Sequence, residues 1–157
     1  MFSQTTEYAL RAMAWLALSP DELVPTITLA EKTQVPPHYL AKVLQQLSAA
    51  ELVTGRRGVR GGYRLSRAAT SITLMDVVRS IGTIERIKSC PLGAANLGST
   101  LCPVHRILDQ ATKMVMELLD GKTLADLLSQ PGAHAPLCDV QATKRVTLSL
   151  DGVSRSN

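Results

Sequence analysis

The sequence predicts a mainly α-helical protein, a winged helix-turn-helix with a two-stranded wing and a long C-terminal helix. Apolar residues make up 45% of the chain and aromatic residues only 3%, so the core must be built from aliphatic side chains, which favours helices. Two prolines break a pair of helical patterns, and a glycine- and arginine-rich loop separates two short β-capable runs. A length of 157 residues suits one domain with an extension.

Helix starts are predicted by a recurring pattern, a hydroxyl residue followed three positions later by an acid. The hydroxyl can accept a hydrogen bond from a first-turn N–H while the acid reaches back to the start of the helix. The first helix, over residues 5–18, begins less regularly at Ser3 or Thr5 and ends at Ser19-Pro20. The clearer examples are Thr28 with Glu31, Thr73 with Asp76, and Thr123 with Asp126.

The helix-turn-helix is predicted over residues 28–50. A short helix over residues 28–34 is followed by Val35-Pro36-Pro37, which forces extended backbone and then allows a helix to restart. The restarted helix, over residues 36–50, carries apolar residues at positions i, i+3, i+4 and i+7, so it should bury one stripe. The opposite face can reach base edges and phosphates in a major groove through His38, Tyr39, Lys42, Gln45 and Gln46.

The wing is predicted as a hairpin whose strands cover residues 52–54 and 63–65. Its loop offers Arg56, Arg57 and Arg60 to a DNA backbone or minor groove, and Gly58, Gly61 and Gly62 permit close approach. The charge distribution supports this function. Residues 1–89 hold eleven basic and seven acidic side chains, whereas residues 90–157 hold six of each. A local basic excess is typical of a phosphate-binding surface.

A long amphipathic helix is predicted after residue 102. Its apolar residues recur three and four apart and form a natural dimerisation surface, although packing against the chain's own core is an alternative. They are Val104, Ile107, Leu108, Ala111, Val115 and Leu118.

Cysteine and histidine residues cluster where this helix begins. Cys102 and His105 are three apart with Pro103 at the first helical position, so both side chains face one side of the first turn and can share an ion. The N-terminal end of the helix favours a thiolate. The compact segment 91–101 could return Cys90 to the same place. Three cysteines, an odd number, indicate a reducing compartment rather than a disulfide framework, and Cys138 should be a free thiol.

The chain resembles the IscR and NsrR type of bacterial winged-helix regulators, the Rrf-two family, from about residue 5 to residue 128. The resemblance rests on Tyr8-Ala9-Leu10-Arg11, on Tyr39-Leu40 with Leu44 and Leu47, on the wing sequence 57–65, and on Cys102-Pro103-Val104-His105. It implies a homodimer on a palindromic operator, with an iron-sulfur cluster in the segment before the dimerisation helix.

The resemblance also implies a ligand set. Cys90 and Cys102 keep the outer spacing of the family's three cysteines, and His105 matches a histidine that some members carry. The middle cysteine is replaced by Asn96 or a neighbour. Some relatives use a carboxylate of the partner subunit just before the aromatic-Ala-Leu sequence, which is Glu7 here. These four ligands favour a 2Fe-2S cluster. Ala41 replaces an acidic base-contacting residue of some relatives, so their operator preference is not carried over.

We therefore expect residues 1–82 to bind DNA, 83–101 to form a cofactor-binding loop, 102–130 to form the dimerisation helix and a short following helix, and 131–157 to form a tail. The expected function is a cytoplasmic, homodimeric repressor that responds to redox state or nitric oxide. One alternative is a cluster-free repressor that senses a small molecule or thiol oxidation, and another is a small iron-sulfur electron carrier. The sequence shows no arrangement of a nucleophile and a base that is typical of an enzyme. It also shows no apolar stretch long enough to span a membrane.

Overall fold

The computed structural model describes residues 2–90 and 101–129 and confirms a mainly helical chain with a two-stranded wing. Cys138, Asn96 and the expected tail lie outside the described residues. In the described part of the chain, no helix is long and apolar enough to cross a membrane. The elements are α1 (Gln4–Leu18), α2 (Thr26–Thr33), α3 (Pro37–Ala49), β1 (Val53–Arg56), β2 (Gly62–Leu65), a 3-10 turn (Ala69–Ser71), α4 (Leu74–Ile81), α5 (Pro103–Asp120) and α6 (Leu124–Leu128).

Three of the four predicted helix starts are confirmed. The capping boxes at Thr73 and Thr123 are complete, and Ser3 rather than Thr5 caps α1 by accepting from the Thr6 N–H at 3.1 Å. The predicted start of α2 at Thr28 is wrong. Extended backbone at Pro25 leads directly into the helix, and the Pro25 carbonyl already accepts from Leu29 N–H at 2.9 Å.

The core forms where α1 crosses the helix-turn-helix. The predicted apolar stripe of α3 is confirmed, because all four of its residues are at most 1% exposed. The stripe meets the small and aliphatic face of α1, and the wing base and α4 close the other sides. The α3 stripe consists of Leu40, Val43, Leu44 and Leu47, and α1 contributes Ala9, Ala12, Met13 and Leu16.

The wing is an antiparallel hairpin in which β1 and β2 pair from Val53↔Leu65 to Arg56↔Gly62. Both strands extend further toward the tip than predicted, so the turn is only residues 57–61. Tyr63 exchanges two backbone hydrogen bonds of 2.9 Å with Val24, in the segment before α2. The wing is therefore fixed to the helix-turn-helix by backbone as well as by side-chain packing.

The helix α6 returns to the core after α5. Leu124 is fully buried in the same cluster as α1, and its N–H donates to the Ile72 carbonyl at 2.9 Å. Leu74 N–H donates to the Lys122 carbonyl at 2.8 Å. The winged domain thus includes α6, while α5 lies between two segments that are attached to it.

The apolar stripe of α5 does not pack against this core. Val104, Ile107 and Leu108 are 64%, 67% and 50% exposed, and Leu118 is 64% exposed. In contrast, Asp109 is the residue of α5 that is buried. The described chain therefore presents an apolar helix face without a partner of its own.

Candidate DNA interface and thiol-imidazole site

The outer face of α3 carries the predicted groove-reading side chains. His38, Tyr39, Lys42 and Gln45 are all exposed, because the helix buries only its opposite stripe. The Tyr39 and His38 rings lie 4.2 Å apart between centroids, and Tyr39 also approaches Tyr8 of α1 at 6.4 Å. This face offers both polar groups and aromatic rings.

The wing places exposed cations beside the helix-turn-helix. Arg56, Arg57 and Arg60 are all exposed, and Val59 at the tip is fully exposed. A cleft between the wing and the start of α2 is lined by residues including Thr26 and Arg57. The N-terminus of α2 has no side-chain cap, so first-turn N–H groups that precede Leu29 can donate to a ligand. Phosphate oxygens accept hydrogen bonds from cationic side chains and from free N–H groups.

The wing glycines are required by the protein's own backbone. A Cβ on Gly61 would lie 2.2 Å from the Arg56 carbonyl oxygen, and one on Gly62 would lie 2.4 Å from the Val24 carbonyl oxygen. Gly62 is buried, so the space beside it is filled by Val24 and Pro25 rather than open to DNA. Gly58 has a φ of 111°, which side chains rarely adopt.

The structure brings Cys90, Cys102 and His105 together at the start of α5. The His105 Nδ1 lies 3.1 Å from the Cys102 Sγ and 3.5 Å from the Cys90 Sγ. The three ligand atoms all lie within 4.8 Å of one another, and each residue is half-buried. The spacing of Cys102 and His105 follows from the helix start, because Cys102 is the N-cap and Pro103 begins α5.

This position activates Cys102. Its pKa is lowered to about 7, first by the backbone N–H of His105 and then by the His105 imidazole, with a smaller effect of Cys90. A thiol with such a pKa is substantially ionised at neutral pH, and the thiolate is the form that binds metals and reacts with oxidants.

Asp109 and Arg86 belong to the surroundings of this site, and the sequence patterns did not reveal them. The Arg86 guanidinium donates to both carboxylate oxygens of Asp109, and the Ile87 N–H donates to Asp109 Oδ1 at 2.9 Å. These interactions, above all the one with Arg86, lower the pKa of Asp109. The only sequence signal was an acid four residues after His105, which is too common to single out.

Glu7 lies outside this group within one chain. Its carboxylate is 55% exposed and accepts a hydrogen bond from Arg11, one turn later on α1. Arg11 in turn donates to the Thr33 carbonyl at 3.4 Å. Glu7 is therefore held at the surface of α1, where a second subunit could reach it.

The donor set of the thiol-imidazole site, defined as Cys90, Cys102 and His105, fits an iron-sulfur cluster. Two thiolates and one imidazole are soft or borderline ligands of the kind that bind iron-sulfur clusters. Because one chain supplies three protein ligands, a carboxylate from outside the chain could complete a set of four.

The comparisons with known proteins agree on one family. The family model described as "Rrf2: Iron-dependent Transcriptional regulator" matches residues 2–130. A protein of Aquifex aeolicus (strain VF5), described as an HTH-type transcriptional regulator, is 31% identical over 137 residues, which are 85% of this chain and 95% of that protein.

Solved structures share the fold. T. potens IscR is 26% identical with a TM-score of 0.67, over 82% of this chain and 85% of that chain. CymR (YrzC), described as the global cysteine regulator of B. subtilis, is 28% identical with a TM-score of 0.68, over 81% of this chain and 95% of that chain. The oxidized form of Staphylococcus aureus CymR is 26% identical with a TM-score of 0.66, over 85% and 99%.

These relatives are regulators rather than enzymes, and the expected family is confirmed. The chain belongs to the Rrf2 family of winged-helix transcriptional regulators.

Proposed function

We propose that this regulator is a homodimeric repressor whose operator binding is controlled by a 2Fe-2S cluster. The ligands would be Cys90, Cys102 and His105 of one chain and Glu7 of the partner subunit. The observation that carries the proposal is the convergence of two sulfurs and one imidazole nitrogen within 4.8 Å at the start of α5. The proposal includes a cytoplasmic location, because a DNA partner and thiols that must stay reduced both suit a reducing compartment.

The proposed DNA contacts use both exposed surfaces of the winged domain. Helix α3 would enter a major groove with Lys42 and Gln45 toward the bases, while Arg57 and Arg60 of the wing contact phosphates or the adjacent minor groove. A symmetric dimer would present two such units to a palindromic operator, with half-sites about one helical turn apart.

The dimer would form through the exposed face of α5. Single exposed apolar residues are ordinary on a protein surface, but a stripe along one helix is typical of an interaction site. Val104, Ile107 and Leu118 all lie on α5 and are each more than half exposed. A second copy of α5 would cover this stripe, as the a and d positions of paired helices cover one another.

The thiol-imidazole site would be the sensor of the dimeric regulator. When bound, the cluster would supply one-electron redox chemistry and iron that is reactive toward nitric oxide. Cys102 provides a thiolate at neutral pH, and a histidine ligand in place of a thiolate would raise the reduction potential of such a site. Glu7 of the partner subunit would complete the ligand set. To do so, its carboxylate would give up its ion pair with Arg11.

The position of the site on α5 supports control of DNA binding. The helix begins at the site and carries the exposed apolar stripe along its length. A change in ligation at the first turn would therefore tilt α5 relative to its partner and alter the spacing of the two α3 helices, which must match the DNA.

Anaerobic purification tests the cofactor. We expect a coloured protein with an iron-sulfur absorption spectrum and equal amounts of iron and acid-labile sulfide. Cys102→Ser should lose the cluster, and Cys138→Ser serves as the matched control because it removes a thiol of the expected tail. Glu7→Ala should weaken cluster retention in the dimer. A colourless wild-type protein without iron would refute the cluster.

The same test covers a second candidate, a cluster-free regulator that senses thiol oxidation. The proximity of the Cys90 and Cys102 sulfurs and the similarity to CymR support it. A peroxide could accept two electrons and two protons from the two thiols, leaving a disulfide and water. Under this candidate the wild type is colourless and peroxide forms a Cys90–Cys102 disulfide that changes DNA affinity. An electron carrier is not proposed, because the family consists of regulators.

A further inference from the structure

We infer that Asp109 is a positioning residue that holds Cys90 against Cys102 and His105. The inference rests on the proposed function of the thiol-imidazole site and names the part of the fold that assembles it. It goes beyond the ligands because Asp109 touches none of the three ligand atoms in the hydrogen bonds that the structure describes.

The segment that brings Cys90 to the site has little structure of its own. Helix α4 ends at Ile81, and the described residues from there to Cys90 form neither helix nor strand. Their backbone is therefore not fixed by a regular hydrogen-bond ladder. Asp109 provides the anchor instead, because its single carboxylate accepts from the Arg86 side chain and from the Ile87 N–H.

The burial of Asp109 shows that this contact is specific. Asp109 is 9% exposed on a helix whose neighbouring apolar residues, Ile107 and Leu108, are 67% and 50% exposed. Burial of a carboxylate is unfavourable unless donors replace the lost water. Three donors from one short segment replace it here, two from a guanidinium and one from the backbone. The segment that follows α4 therefore supplies the donors that the buried carboxylate of α5 requires.

The residues that form the Asp109 contact are close in sequence to the ligands, both on α5 and in the segment that follows α4. Asp109 follows His105 by four residues on α5, so the two side chains lie on one face of the helix. Cys90 follows Ile87 by three residues. Cys102 and His105 are fixed by the helix start, whereas Cys90 depends on the path of its segment.

Capture of the two thiols by phenylarsine oxide tests the inference without any cluster. The reagent forms two As–S bonds and releases water, so it binds tightly only where two thiols are held together. The experiment uses the full apo chain with Cys138→Ser, which leaves Cys90 and Cys102. We expect Asp109→Asn to weaken capture about ten-fold or more, the range seen when a group that orients a metal ligand is removed.

Two further variants separate positioning from general stability. Arg86→Gln removes the bidentate donor from a side chain that is 41% exposed, so it should fold and weaken capture similarly. Asp120→Asn removes another ion pair of α5, the exposed pair with Arg79 at 3.8 Å, and should leave capture unchanged. The reversed pair, Arg86→Asp with Asp109→Arg, should recover part of the loss.

The outcomes distinguish this inference from the proposed function. Wild-type capture by both Asp109→Asn and Arg86→Gln would overturn the positioning role, and so would an equal loss in Asp120→Asn. A wild type that purifies without iron but still needs Asp109 for capture would refute the cluster and keep the positioning role.

Discussion

Replacement of Gly62 by alanine should detach the wing from the helix-turn-helix. The added Cβ would lie 2.4 Å from the carbonyl oxygen and 2.5 Å from the carbonyl carbon of Val24, and 2.9 Å from the nitrogen of Pro25. All three atoms belong to backbone, so no flexible side chain can move away. Ordinary contact begins at 3.4 Å. One of the two segments must therefore shift by about 1 Å.

The cost follows from the interactions that this shift disrupts. Overpacking of a close contact costs about 1–3 kcal/mol. The shift also strains the two 2.9 Å hydrogen bonds between Val24 and Tyr63, each with a net value of about 1 kcal/mol. We expect a loss of about 2–4 kcal/mol in the free energy of unfolding. For a chain of this size the melting temperature should fall by about 6–12 °C.

Denaturant unfolding and DNA binding would be measured on the same preparations, with a duplex selected by the wild type. Gly82→Ala is the matched control, because a Cβ there meets nothing within 4 Å and its φ of −163° suits any residue. The control should be neutral or slightly stabilising. If Gly62→Ala unfolded within about 0.5 kcal/mol of the wild type and bound DNA equally well, the close approach to Val24 would not fix the wing.

Three further predictions test the DNA contacts, the ion pair and the dimer. Arg57→Ala should weaken binding and lower the slope of log K against log salt by about 0.9 for each phosphate that is no longer neutralised, whereas Arg79→Ala, in α4, should not. Arg86 lowers the pKa of Asp109, so this stabilisation is complete above about pH 4, the unfolded value, and is lost as pH falls through the folded pKa. Asp109→Asn should therefore be less stable than wild type at pH 7 in urea titrations and no longer differ at strongly acid pH. Ile107→Glu should yield monomers in light scattering, while Glu117→Gln stays dimeric; a dimeric Ile107→Glu would exclude the α5 face.

The parts of the fold that were predictable from sequence are those controlled by local chemistry. The capping boxes at Thr73 and Thr123 place both hydrogen-bond partners within four residues, so the sequence contains the whole motif. The start of α2 was missed although Pro25 is equally local. Thr28 offered a hydroxyl and acid pattern, but Pro25 takes the N-cap position and its carbonyl accepts the first hydrogen bond of the helix.

The residues of the candidate site also divide into those that were predictable from local sequence and those that were not. Cys102 and His105 were predictable because they are three apart at a proline-started helix. Asp109 was not, because its burial depends on Arg86, 23 positions away, and neither residue is unusual alone. The need for glycine at position 62 was not predictable either, because the backbone that it approaches belongs to Val24, 38 positions earlier.

The two ends of α5 are attached to the same winged domain by different means. At the C-terminal end, backbone hydrogen bonds join Leu74 to Lys122 and Leu124 to Ile72, and α6 enters the core. At the other end, side-chain interactions of Asp109 hold the segment that follows α4. The first attachment uses backbone hydrogen bonds at the edge of the core, whereas the second includes the carboxylate of Asp109, four residues after His105 of the thiol-imidazole site. Under the proposed function, a chemical change at that site would act first on this N-terminal attachment, and we expect α5 to move there while the hydrogen bonds at its junction with α6 stay in place.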